Sequence, residues 1–207
     1  MALILLPLVL SLVAWLLPSA QTRLFGLIAS ALSLAWSIVA VCYFKPTDHL
    51  LVDFGLRFIR FSIDSLGFTM ILLTNAVFFL VFLSQFTSNI TQEKRFTALA
   101  LLMQFGLVGV FTTNTILGFY IFWELTLLPI FLILYWFGSF EKPRALLQFF
   151  LYTLFGSVFM LLVMVGLYFS VSDPGTGAHT FNMLHMMDAK NYDAASFFNP
   201  STGATLM

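Results

Sequence analysis

Charge is what this chain has least of. Only 9% of its 207 residues are Asp, Glu, Lys or Arg, where soluble domains carry about 25%. So little charge excludes an ordinary soluble domain. The formal net charge is zero, which removes the basic footprint that binding to nucleic acid requires. A single cysteine, Cys42, excludes an internal disulfide and a cysteine-rich metal site. It falls at a helix end and reads as a buried, bland thiol. The three histidines, His49, His179 and His185, lie in loop-like stretches. CxxC, HExxH, P-loop and GxGxxG patterns are all missing. The chain therefore lacks the parts to bind flavin, haem or an iron–sulfur cluster, and neither a cofactor nor a metal is expected in it. No basic segment precedes the N-terminal apolar run, which reads as a retained first helix rather than a cleaved signal.

What the chain does have is apolar sequence, 60% of the total. It comes in runs too long for barrel strands, which would alternate over about ten residues. Helices satisfy every backbone polar group within lipid, so the expected fold is an all-α integral membrane bundle. Hydropathy places six spans at about 2–18, 24–44, 63–85, 97–113, 115–137 and 145–171. Residues 172–207 are too polar to span and read as a loop or tail, with apolar clusters at Phe181 to Met187 and Phe197 to Phe198. In the second span Gly26, Ser30, Ser33 and Ser37 form a small-residue stripe that suits close helix packing. The third span carries Thr69, Thr74 and Asn75 and the fourth Gln104, and the mid-membrane amides among them suit bonds to neighbouring helices. Between the second and third spans, alternation from Phe54 through Leu56 and Phe58 suggests a short extended segment. Asp64 opens the third span and reads first as an N-cap, with proton handling as the second reading.

One residue breaks the apolar pattern deeply. Glu124 lies near the middle of the fifth span, with no basic residue nearby in sequence. A carboxylate there costs several kcal/mol unless it is paired, hydrated or protonated. On a helix advancing 100° per residue, Tyr120 and Tyr135 point within about 40° of Glu124, so one face offers a carboxylate flanked by phenols. Pro129 follows and weakens the helix there. Glu124 reads as a proton-handling carboxylate. The competing reading is a protonated glutamate acting as interhelical glue. In the sixth span Gln148 and Tyr152 share a face, with Thr153, Gly156 and Ser157 as a small-residue patch beside it.

Three stretches now carry a family resemblance. Residues 62–68 (Ser-Ile-Asp-Ser-Leu-Gly-Phe), Phe122-Trp-Glu-Leu-Thr-Leu-Leu-Pro129 and residues 144–162 occur in order. Together they resemble the antiporter-like subunits of respiratory complex I, the proton-pumping NADH:quinone oxidoreductase, and most closely the subunit M type, over about residues 1–185. The resemblance implies a proton-translocating membrane-arm subunit of a complex that as a whole uses NADH, flavin, iron–sulfur clusters and quinone. It implies other membrane-arm subunits and lipid as partners, and a bacterial plasma membrane or mitochondrial inner membrane as location. The glutamate matching Glu124 sits in that family on the fifth helix beside a lysine on the seventh. Gln148 stands where many relatives carry a lysine. The present sequence matches about the first six of some fourteen helices. The remaining helices are expected from the same polypeptide or from another chain.

Two other functions fit the same helices. One is a subunit of a multi-subunit cation/proton antiporter, which would assemble with small membrane subunits only. The other is a structural membrane scaffold, which would tolerate loss of Glu124.

Orientation follows from the short loops. Arg23, Lys94, Arg95, Lys142 and Arg144 share one side in tight turns, while Lys45, Arg57, Arg60 and Lys190 are spread over long loops on the other. Positive-inside bias puts the tight turns in the cytoplasm and the N-terminus outside, on the periplasmic side of a bacterial membrane. Cysteines introduced at Gln92 and Ser139 are therefore expected to resist an impermeant reagent applied to intact cells and to react in inverted vesicles. Labelling from outside would overturn the orientation.

Overall fold

A computed structural model describes residues 2–43, 50–53, 60–86, 93–138, 143–175 and 177–193. His49, Phe54, Leu56, Phe58, Gln92, Ser139, Phe197 and Phe198 lie outside the described residues, as do Lys45, Arg57 and Lys142. The elements in order are α1 (Ala2–Leu16), α2 (Ser19–Tyr43), β1 (Leu50–Asp53), β2 (Arg60–Ile63), α3 (Ser65–Gln85), α4 (Glu93–Thr112), α5 (Ile116–Phe137), α6 (Pro143–Ser170) and the single turn α7 (Met183–Met186). A 3₁₀ turn follows at Ala189–Asn191. Among the described residues, five helices are long and apolar enough to cross a membrane, and α1 is a shorter apolar helix. The helical membrane bundle is thus what the sequence implies. The connection after α2 adds an antiparallel hairpin, with Leu50 opposite Ile63 and Asp53 opposite Arg60.

Helix ends follow local chemistry. Asp64 is extended and its Oδ1 accepts from the Gly67 backbone N–H at 2.6 Å, so it caps α3. This satisfies one of the donors that every helix N-terminus leaves unpaired. Thr115 caps α5 in the same way, accepting from Gly118 N–H at 3.3 Å.

The central helix is α4, which packs against α1, α2, α3 and α5. One apolar core joins Ala14, Ala29, Phe78, Phe82, Ala98 and Leu101 between the first four helices. A second joins Phe61, Phe68, Ile71, Phe105, Val108 and Phe122, where the hairpin meets α3, α4 and α5. The small-residue stripe on α2 is buried throughout. A Cβ at Gly26 would lie 2.8 Å from the Phe82 ring, so only glycine admits this approach. The amides bond across helices: Gln104 Nε2 donates to Asn75 Oδ1 at 2.6 Å, and Asn75 Nδ2 donates to Ser37 Oγ. Cys42 corrects an expectation. It is exposed, because among the described residues no helix packs on the last turn of α2, Val41 to Tyr43.

The two ends of the bundle are built differently. At one end the hairpin, the α4–α5 turn and residues 171–193 interlock, with bridges pairing Phe61 with Thr113 and Thr115 with Asn182. At the other, Arg23 pairs with Glu93 at 2.5 Å and the Arg95 guanidinium lies 5.0 Å from the Trp136 ring centre.

Removing the α3 cap tests its weight. Asp64→Ala is expected to cost about 1 kcal/mol of stability, while Asp64→Asn keeps most of it because an amide oxygen also caps. Thermal unfolding in detergent reads both. Equal losses would assign the effect to the charge rather than to the cap.

Candidate functional site around Glu124

The direction of Glu124 is set from the far side of its helix. Phe122 is buried, with its ring edge-on to Phe61 at 5.9 Å and to Phe105 at 5.6 Å between centres. It lies against Gly109 of α4, where an added Cβ would collide with the ring. Gly106, one turn earlier, receives Thr126, and a Cβ there would sit 2.7 Å from the Thr126 methyl. The two glycines thus let α5 approach α4 closely and fix its rotation. Two residues further along α5, the chain has turned by about 200°, so Glu124 faces away from α4 and towards α6.

There it lines a cleft of about 350 Å³ with Ile121, Leu125, Leu127 and Leu128 of α5 and Phe150 and Leu154 of α6. Among the described residues, Glu124 is the sole polar side chain of that lining. It is half-buried, and its Oε1 is out of reach of solvent with no hydrogen-bond partner among the described residues. Tyr120, one turn earlier, interacts with Glu124 and also with Ser157 of α6. Ser157 is buried and donates its own proton to the Leu154 carbonyl at 2.9 Å, which leaves its lone pairs to accept. The arrangement provides a carboxylate, a phenol and a hydroxyl side by side across the α5–α6 contact.

Pro129 is buried within an α5 that runs unbroken to Phe137. Lacking an N–H, it cannot donate to the carbonyl of Leu125, the residue next to Glu124.

The other sequence candidates do not join this group. Tyr135 shares the angular direction of Glu124, but eleven residues of helix separate the two by about 16 Å. It is 60% exposed and its ring stacks on Phe131. Gln148 and Tyr152 are exposed on α6, facing away from the cleft lining. Asp64 serves as the α3 cap. Ser157 was visible in the sequence only as part of a small-residue patch. Its value comes from the register of α6 against α5.

The chain is similar to known proteins in sequence and in fold. Residues 113–200 match the family described as NADH:quinone oxidoreductase/Mrp antiporter, TM. The chain is 30% identical over 194 residues to F(420)H(2) dehydrogenase subunit M of Methanosarcina mazei, covering 89% of this chain and 39% of that protein. It is 35% identical over 166 residues to NADH-ubiquinone oxidoreductase chain 4 of Chondrus crispus, covering 74% of this chain and 34% of that one. In the solved structure of respiratory complex I from Thermus thermophilus with bound NADH, one chain superposes with a TM-score of 0.74 at 28% identity. That match covers 92% of this chain and 38% of the other. The chain thus spans less than half the length of the relatives it matches.

The glycine seat is open to a direct test. Gly109→Ala overpacks the α4–α5 contact, at a cost of about 1–3 kcal/mol, and is expected to lower the amount of assembled protein on blue-native gels. Gly156→Ala, whose new methyl meets nothing within 4 Å, is expected to leave it unchanged. Equal levels of both variants would remove the seat from the account.

Proposed function

We infer from these likenesses that the chain is an antiporter-like chain of the subunit M type in the NADH:quinone oxidoreductase/Mrp antiporter family. On that premise we propose that it moves protons within the membrane arm of an NADH:quinone oxidoreductase, with Glu124 as an ionisable site on the path. The observation that carries this reading is the placement of Glu124, whose Oε1 is unpartnered and enclosed in an otherwise apolar cleft between α5 and α6. In such surroundings an ionised carboxylate needs a counter-charge, a water or a donor, and a protonated one needs an acceptor. Tyr120 serves both states, because its hydroxyl can donate to the carboxylate or accept from the acid. Ser157 gives that hydroxyl a second place to donate when Glu124 is protonated. The phenol thereby exchanges partners as the proton arrives and leaves. Proton transfer needs groups within hydrogen-bond reach, directly or through one water, and the cleft gives water or a side chain of another helix access to Glu124.

The redox chemistry belongs in this reading to other subunits, which oxidise NADH and reduce quinone. This chain supplies the membrane path and assembles with neighbouring membrane-arm subunits. The family description also includes Mrp antiporters, so a cation/proton antiporter subunit stands as the second reading. Co-purification separates them: peripheral NADH-oxidising subunits accompany the first, small membrane subunits alone the second.

Substitution at Glu124 tests the proton role. Glu124→Gln keeps shape and interhelical bonding but cannot release a proton. It is expected to abolish coupled proton uptake in vesicles holding the assembled complex, with assembly unchanged on blue-native gels. Glu124→Asp, shorter by one methylene, is expected to retain part of the uptake. Full uptake by the Gln variant would refute the proton role and favour interhelical glue, since an amide bonds across helices as well.

A further inference from the structure

Of the spanning helices, α6 is the least enclosed. Between Leu147 and Phe169 a single residue of it is buried, and that residue is Ser157. The other buried positions among its described residues, Leu146 and Ser170, lie near the two ends of the helix. Ser157 is thus the mid-membrane point at which α6 is seated on the bundle, about 16 Å along the axis from Leu146 and about 20 Å from Ser170.

The Ser157 hydroxyl donates to the Leu154 carbonyl at 2.9 Å, so its oxygen stays free to accept. Such a bond to its own helix does not set Ser157 apart. Thr153, one turn earlier, donates to the Phe149 carbonyl at 2.8 Å, and Ser170 to the Gly166 carbonyl at 2.7 Å. What sets it apart is Tyr120 of α5, which interacts with both Ser157 and Glu124. These two partners matter in different protonation states. With Glu124 ionised, the phenol donates to the carboxylate and Ser157 is not needed. With Glu124 protonated, the acid donates to the phenol oxygen, and the phenol proton needs another acceptor. Ser157 is that acceptor. It therefore favours the protonated state of Glu124 selectively, and does so from a different helix.

We propose that Ser157 is a positioning residue through which the seating of α6 on α5 sets how tightly Glu124 holds its proton. The inference rests on the proton role argued for Glu124 and adds its control. A slide of α6 by one turn, about 5.4 Å, carries Ser157 out of hydrogen-bond reach of the phenol. The protonated acid then loses a bond that the ionised form never used, and release of the proton becomes easier. The competing reading makes Ser157 only a small residue that lets two helices approach. In that case alanine serves equally well.

The test uses vesicles holding the assembled complex. It follows against pH the infrared band of the protonated carboxyl that Glu124→Gln removes. Ser157→Ala keeps the contact small and removes the acceptor. It is expected to need about 3- to 10-fold more protons in solution to reach half of the band, the scale of one hydrogen bond. Thr153→Ala, which loses a hydroxyl with the same kind of bond to its own helix, should leave the titration unchanged. In a Tyr120→Phe background, Ser157→Ala should add nothing, because the phenol links the two groups. Should Ser157→Ala fail to assemble on blue-native gels, Ser157→Cys, a weak acceptor of similar size, carries the test with a shift in the same direction. A titration that Ser157→Ala leaves in place or moves the other way would overturn the inference. So would an equal shift in Thr153→Ala, or a full shift by Ser157→Ala in the Tyr120→Phe background. Each of these leaves the proton role of Glu124 intact. Full proton uptake by Glu124→Gln, or a carboxyl band that survives it unchanged, would remove that role and this inference with it.

Discussion

The site rests on the seating of the Phe122 ring over Gly109. In a membrane, helix rotation is not fixed by keeping apolar groups from water, since lipid is as apolar as leucine. Packing and a few polar contacts must fix it instead. Phe122 fills the space that the absent side chain of Gly109 leaves on α4, and Thr126 that of Gly106, while Phe61 and Phe105 close around the edges of the Phe122 ring. A rotation of α5 by one residue would lift the ring out of that seat. The same seating keeps Glu124 turned to α6, because the two residues lie about 160° apart around the helix. The chemistry of the carboxylate therefore depends on a contact made on the opposite face of its helix.

Against the rest of the membrane interior, Glu124 is exceptional. With no water to pair with, polar side chains there are satisfied within the protein. Ser33 and Ser37 return their protons to carbonyls of their own helix at 3.0 and 2.8 Å, as do Thr74 and Thr112 at 2.8 and 2.9 Å. Gln104 keeps one buried oxygen unpartnered, yet it is neutral and its amide donates to Asn75. Glu124 combines an unpartnered oxygen with a group that can gain or lose a proton. Interhelical glue resembles the Asn75–Gln104 pair, with donor and acceptor meeting across helices. The Glu124 carboxylate instead faces an apolar cleft.

Much of the architecture was legible in the sequence because hydropathy and small-residue spacing report burial along one helix at a time. The apolar runs, the α2 stripe and the Asp64 cap are all local features of that kind. What depends on two helices at once was not legible. Tyr135 seemed to share a face with Glu124 because angle repeats along a helix while height does not. Ser157 meets Tyr120 only through the register of α6 on α5, which no spacing within either helix encodes. The exposure of Cys42 has the same origin: a helix end is buried only if another element reaches it. The hairpin strands, Leu50–Asp53 and Arg60–Ile63, flank the alternation at Phe54, Leu56 and Phe58, which lies outside the described residues.

The clamping of α5 is also uneven along its length, and Glu124 lies where it changes. Its N-terminal half is held by backbone bonds from the 171–193 segment, with Ile116 N–H donating to the Phe181 carbonyl at 3.0 Å, and by the Phe122 seat. Its C-terminal half is held by rings alone among the contacts described: Phe131 on Phe150 at 4.7 Å, Phe137 on Phe96 at 5.5 Å and Trp136 under Arg95. Ring contacts slide more readily than backbone ladders break. Between the halves, Pro129 withholds a hydrogen bond from Leu125, and a helix bends most easily where its ladder is interrupted. A displacement of the C-terminal half therefore pivots between Leu125 and Pro129, with Phe122 held in place. Leu125, Leu127 and Leu128 line the cleft within that pivot. Bending there would change the space before Glu124 without turning the carboxylate away from it, as the proton role proposed for this residue requires.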